Sequence, residues 1–255
     1  MKALLGDTFH PLVAKGSCRA FYTSRGDTCS PSDPYGGFSV CHYTGDLQVH
    51  TQACLSTLSE FIKSPIERII IPTQTHSCNV EIIDTLPFPE SRLEGCDALV
   101  TNIRGVVLAI NTADCVPVVL IDPVNNIIGV AHAGWRGAIG GIVERTVDAM
   151  QKIGASPYEM NYALGPSICV ECFEVGHEVA DRFPAEVVSH PNNSIRPHID
   201  LQKFIRLRLA GYGITKEAGQ PWDNSMCTRH NPEKFFSARA LGTSSGRGLT
   251  FAFII

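Results

Sequence analysis

Three side chains, His76, Cys115 and His132, each follow a short apolar run, and their types allow chemistry. Two imidazoles and one thiolate match a catalytic zinc shell, in which three protein ligands leave one position for water or substrate. A water on such an ion has its pKa lowered towards about 7, which supplies hydroxide at neutral pH. The same trio could instead make a thiolate–imidazole pair for nucleophilic catalysis, or be a buried cysteine beside two structural histidines. The three do not lie in one short motif, so on the residues alone all these readings stand. Asp114 directly precedes Cys115. Facing the site, it would orient a ligand histidine or act as a general acid or base; otherwise it holds a tight turn through its side chain.

Gly134-Trp135-Arg136-Gly137 lies between His132 and a helix start. Loop N–H groups and a helix N-terminus make an anion site reasonable there, and the planar fork of Arg136 suits phosphate or carboxylate. Arg25, Arg239 and Arg247 are further anion-binding candidates. Neither a P-loop nor a Rossmann glycine fingerprint occurs in the right context. Cys169-Val170-Glu171-Cys172 is a lone C-x-x-C. A metal knuckle needs a second pair, and none stands at the usual spacing, so these thiols read as buried or surface side chains.

The elements that must deliver the reactive residues can be read from periodicity. Val106–Ile110, Val116–Ile121 and Ile127–Ala131 are β-branched runs bounded by turn residues, and they read as buried strands around the polar knot 111–115. The Asp122-Pro123 and Asn125-Asn126 turn makes the second and third runs sheet neighbours. After Gly137, the residues Ile139, Ile142, Val143, Thr146, Val147 and Met150 form one helical stripe, with Gly154 as its stop. Further helices are expected over 48–62, 175–183 and 201–212. Further strands are expected over 67–72, 80–83, 160–164, 235–237 and 249–255, with a strand ending in a turn over 20–27 and a turn and strand over 95–101. Residues 27–37 are rich in Ser, Pro, Gly and Asp and read as a loop that could cover a site. Strands and helices mix without a regular βαβ alternation, which favours an α+β class.

Composition excludes some functions. The chain has 255 residues, 44% hydrophobic and 18% charged, enough for a sizeable core. Its formal net charge of −4 and lack of a Lys/Arg cluster argue against a nucleic-acid partner. No apolar run approaches a membrane span, and the opening M-K-A-L-L-G-D-T-F-H lacks the apolar core of a signal peptide. A cytoplasmic setting is expected, in which the ten cysteines stay reduced.

Q-T-H-S-C-N-V, A-D-C-V-P-V, A-H-A-G-W-R-G and G-P-S-I-C-V-E-C-F-E-V resemble the YfiH/YlmD family. The resemblance runs from F-Y-T-S-R-G near the start to F-F-S-A-R and S-G-R near the end. It implies an α+β fold of mixed β-sheets packed with helices, layered as a single YfiH-like catalytic domain over residues 1–255. It also implies a zinc ion on His76, Cys115 and His132. Members carry the labels multicopper polyphenol oxidase or laccase-like, peptidoglycan editing factor and purine nucleoside phosphorylase. The implied activity is phosphorolysis of adenosine, inosine, guanosine and methylthioadenosine to free base and ribose 1-phosphate, with adenosine deamination alongside. Phosphate then needs arginines near the metal, and Arg25 and Arg136 are the assignments. Ser77 stands where the family has glycine after the histidine, Ser39 replaces an early asparagine, and Cys169-Val170-Glu171 replaces Gly-Pro-Cys. Rival readings are a Cys115-dependent amidase that edits peptidoglycan precursors, a zinc-dependent scaffold, and a copper polyphenol oxidase. The last fits poorly: nine histidines with no H-x-H pair cannot ligate several copper centres. Copper could still enter a His₂Cys site in vitro, since it outcompetes zinc in affinity.

Overall fold

A computed structural model describes residues 8–26, 30–191 and 194–255. The described residues open with a hairpin of β1 (Phe9–Lys15) and β2 (Cys18–Thr23), followed by α1 (Gln48–Ile62). Short strands β3 (Ile69–Ile70), β4 (Val80–Ile82) and β5 (Ala98–Thr101) lead to the long strands β6 (Val107–Thr112), β7 (Val116–Asp122) and β8 (Ile127–Ala133). Helices α2 (Trp135–Gly140) and α3 (Ile142–Lys152) precede β9 (Asn161–Leu164) and α4 (His177–Ala180). The small ribbon β10 (Val188–Ser189) and β11 (His198–Ile199), then α5 (Leu201–Gly211), α6 (Ala238–Leu241) and β12 (Gly248–Ile254), complete it.

Two mixed five-stranded sheets result, in orders β1-β2-β12-β6-β3 and β4-β5-β8-β7-β9. They pack face to face because their strands alternate. Leu108 and Ile110 of β6 meet Val119 and Ile121 of β7 and Ile128 and Val130 of β8 in one core. The odd residues of β6, Val107 and Ala109, face outward with Phe9 and Phe251 against Cys54 and Leu58 of α1. Across the second sheet, Val116, Val118 and Leu120 face Val143, Val147 and Met150 of α3 and Phe204 and Ile205 of α5. Each such aliphatic side chain contributes roughly 1.5–3 kcal/mol when fully buried. The order is helix, sheet, sheet, helix, which agrees with the expected α+β class.

The central strands agree with their sequence pattern: β7 and β8 pair antiparallel, with Val116 opposite Ala133 and Asp122 opposite Ile127. Elsewhere the structure corrects the reading. The single helix expected after Gly137 is two, because Gly141 adopts φ +89° and restarts the chain. Only His177–Ala180 of the expected 175–183 helix forms. Val175 instead donates its N–H to the Pro197 carbonyl at 2.9 Å. Residues 235–237 are not a strand: Phe235 N–H closes a turn on Asn231, and Ser237 caps α6 through Ala240 N–H. Over 67–72 only Ile69 and Ile70 pair, parallel to β6. Strand β1 was not expected; Pro11 and the irregular register after it obscure the pattern on this sheet edge. No helix among the described residues is long and apolar enough to cross a membrane. Residues 27–29 of the expected covering loop lie outside the described residues.

Candidate metal centre

Strand β6 belongs to the first sheet and β7 to the second, so the knot between them crosses the seam. Cys115 sits on that crossing, immediately before β7, and His132 lies near the end of β8, one strand over. His76 arrives on the loop after β3. Gln74 fixes this loop: its amide nitrogen donates to the Asn111 carbonyl at 2.8 Å, and its amide oxygen accepts the Asn111 N–H at 2.8 Å.

The three side chains converge. Cys115 Sγ lies 3.7 Å from His76 Nε2. The His76 and His132 rings are 4.8 Å apart, nearly edge to face. One ligand atom from each of the three residues falls within 4.8 Å of the others. Zinc bonds of about 2.3 Å to sulfur and 2.0–2.1 Å to nitrogen at tetrahedral angles place S and N about 3.6 Å apart, so this donor set fits the ion. His132 gives its Nδ1 to Asp97 at 2.7 Å, which leaves Nε2 as the ring atom able to bind a metal ion.

Asp97 organises the centre and was not singled out in the sequence. Wholly buried before β5, it also accepts backbone N–H bonds from Thr75 at 3.1 Å, His76 at 3.0 Å and Ser77 at 2.7 Å. One carboxylate thereby holds one ligand histidine by its ring and the other by its main chain. Burial alone would raise its pKa, but the bond to His132, that residue's charge and the Ser77 contacts hold it below the ordinary range. Orienting a histidine of the trio, one of the roles considered for Asp114, falls instead to Asp97. Asp114 lines the cavity beside Cys115, yet both its oxygens accept bonds elsewhere, from Thr228 Oγ1 at 2.6 Å and Arg239 N–H at 2.7 Å. His76 at φ +62° and Asp114 at φ +80° are both left-handed. Such backbone costs roughly 1–3 kcal/mol per residue and is typical of functional sites.

Burial opposes ionisation of Cys115, but the charge of His132 and hydrogen bonds from both histidines outweigh it and draw the thiol down to about 6. Burial likewise opposes charge on His132, while the Cys115 thiolate and Asp97 raise it to about 9. Both shifts favour the thiolate form of Cys115 and the protonated form of His132 when no metal is bound. A metal ion held here would replace the proton on His132, so its binding would weaken as pH falls.

Gly134 lies against the ligands. A Cβ there would come within 2.8 Å of His76 Cδ2 and 2.9 Å of Cys115 Sγ. Overpacking of this kind costs roughly 1–3 kcal/mol. Gly134→Ala is therefore expected to weaken zinc binding by about 5- to 150-fold with an unchanged far-ultraviolet circular dichroism spectrum, as titration against a chromophoric chelator would show.

The centre floors a cavity of about 410 Å³, walled by Tyr43, Asn111, Ile168, Phe173, Arg239 and Arg247. That volume lies in the range of small-molecule sites, roughly 300–1,000 Å³. Asn111 is buried, and neither atom of its side-chain amide has a well-aligned hydrogen-bond partner among the described residues. Two arginines line the cavity, but not the two assigned from sequence. Arg25 is buried under Phe236 and donates to the carbonyls of Gly36, Pro232 and Asp33, so it ties loops together. Arg136 is exposed and stacks on Trp135 at 4.3 Å, outside the cavity wall. Ser39, where the resemblance has asparagine, is buried and accepts the Arg247 N–H at 3.0 Å.

Fold and site together define a two-sheet α+β protein with a His₂Cys cluster, able to hold a metal ion, at the floor of a small-molecule-sized cavity. The family model described as multi-copper polyphenol oxidoreductase laccase matches residues 19–255, and the chain belongs to that family. It is 39% identical over 244 residues to adenosine deaminase RL5 of an unknown prokaryotic organism, covering 91% of this chain and 92% of the relative. It is 35% identical over 262 residues to a purine nucleoside phosphorylase of Bacteroides thetaiotaomicron, covering 98% and 95%. The crystal structure of Bacillus licheniformis hypothetical protein YfiH superposes with a TM-score of 0.81 at 25% identity, over 93% of each chain.

Proposed function

We propose that this protein is a purine nucleoside phosphorylase with adenosine deaminase activity, dependent on zinc held by His76, Cys115 and His132, and that residues 1–255 act as one catalytic unit. The observation that carries the reading is the joining of a His₂Cys cluster to a cavity lined by the buried Asn111 amide, an aromatic wall and two arginines. The names of two relatives, a phosphorylase and a deaminase, support the same substrate class. Adenosine, inosine, guanosine and methylthioadenosine share a purine that Phe173 can stack against and Asn111 can bond through donor and acceptor. A cation in the centre supplies Lewis acidity and lowers the pKa of water towards about 7.

The chain's own residues bind and orient. Arg239 offers charge-assisted bonds to phosphate, and Arg247 lines the same cavity with its guanidinium also donating to the Thr243, Ser245 and Gly246 carbonyls. Arg239 is set by its N–H bond to Asp114, so Asp114 acts as a positioning residue, and by guanidinium bonds of 3.1 Å to the Glu174 carbonyl. Asp97 keeps His132 in the tautomer that presents Nε2. Removing one charged hydrogen-bond donor costs about 1.5–3 kcal/mol. Arg239→Ala is thus expected to raise the KM for phosphate by roughly 10- to 100-fold, while deamination of adenosine, which uses no phosphate, changes little. Equal losses in both reactions would place Arg239 outside phosphate binding.

A second reading is a cysteine-dependent amidase acting on cell-wall precursors, favoured by the placing of Cys115 between His132, whose charge draws its thiol down, and His76 at 3.7 Å. Iodoacetamide separates the two: a zinc-bound thiolate resists alkylation until a chelator acts, whereas a free nucleophile is modified at once. The copper-oxidase chemistry in the family's descriptive name is disfavoured, because two histidines and one thiolate hold a single ion, not a cluster.

A further inference from the structure

Cys169-x-x-Cys172 has a partner after all. Cys227-Thr228-Arg229-His230, a C-x-x-H far along the chain, folds against it through a parallel bridge between Ser167 and Cys227. His230 Nδ1 lies 3.7 Å from Cys169 Sγ, and its Nε2 lies 3.1 Å from Cys172 Sγ. One ligand atom from each of Cys169, Cys172, Cys227 and His230 falls within 4.8 Å of the others. We infer that these four residues form a second, structural zinc site, closed by protein ligands on all sides.

The donor set and its backbone both point to a metal. Three thiols and an imidazole complete a tetrahedral shell of the Cys₃His kind. Each pair is carried on a tight turn: Phe173 N–H bonds the Cys169 carbonyl at 2.9 Å, and Asn231 N–H bonds the Cys227 carbonyl at 3.1 Å. The Cys169 N–H donates to Cys227 Sγ at 3.3 Å, as outer-shell donors do at metal-bound thiolates. A disulfide would account for two of the four groups and leave a third thiol and His230 converging without a task.

The position gives the ion a task. Ile168 and Phe173, at either side of the first pair, line the substrate cavity. Thr228, inside the second pair, donates to Asp114 at 2.6 Å. A bound ion clamps these two stretches together and so holds one wall of the cavity relative to the knot at Cys115.

The inference rests on a donor set separate from the first centre, so metal content tests the two apart. The full chain, purified under reducing conditions and loaded with zinc, is compared by elemental mass spectrometry with His230→Ala, His230→Cys and Cys115→Ser. His230 is exposed, so its replacement leaves the core intact. The expected result is two ions per wild-type chain, one in His230→Ala, two in His230→Cys, and one in Cys115→Ser that survives a brief chelator wash. Cobalt loading of Cys115→Ser should show strong thiolate-to-cobalt absorption. One ion per wild-type chain, unaffected by His230→Ala and lost in Cys115→Ser, would overturn the second site and leave the first. A Cys169–Cys172 disulfide in the reduced, zinc-loaded protein, found by peptide mapping, would overturn it too.

Discussion

Cys115→Ser is expected to abolish both purine activities while leaving the fold intact. The hydroxyl is a poor metal ligand near neutral pH, and two imidazoles alone hold zinc weakly. Losing one preorganised donor costs enzymes roughly 10²–10³-fold. Losing a whole divalent charge costs more, so a fall in kcat of at least about 10³-fold follows. Folding should survive, because the residue is half-buried at the cavity floor and the swap changes little volume. Near-wild-type kcat in a variant shown by elemental analysis to hold no metal at this centre would remove the ion from the chemistry.

Asp97→Asn is expected to do more damage to the structure than any ligand substitution. The carboxylate accepts four bonds, three of them from successive N–H groups of the Thr75–Ser77 loop. An amide nitrogen in place of one oxygen would face donors and leave one or two of them unpaired in the core. Each unpaired buried group costs about 1–3 kcal/mol. His132 loses the partner that fixes its tautomer, which at comparable metal sites weakens binding by about 10- to 100-fold. Chemical denaturation and zinc titration read the two effects separately. A stable variant with unchanged zinc affinity would show that Asp97 does not organise the loop.

The trio His76, Cys115 and His132, which the structure brings together, was legible because each member ends an apolar run, and strands such as β8 are read easily from β-branched residues. Asp97 was not, since Gly95-Cys96-Asp97 looks like an ordinary turn. Its meaning lies in register: Ala98 pairs with Ala131, which sets Asp97 beside His132. Arg239 and Arg247 were visible only as single charges, because α6 and the loop before β12, which carry them, return to the site from the far end of the chain. The same distance hid Cys227 and His230 from Cys169. The α+β class could be read from the irregular mixture of elements. The division into two sheets could not, because it depends on the chain crossing the seam between β6 and β7, where only a polar knot shows.

The most direct test of the purine reading is product analysis with adenosine, with and without phosphate, on zinc-loaded protein and on His132→Ala. The expected result is phosphate-dependent adenine and ribose 1-phosphate, with inosine as a second product, all lost in the variant. Zinc-loaded wild-type protein that forms neither free base nor inosine would contradict the assignment and turn attention to amide substrates and to Cys115 as a nucleophile.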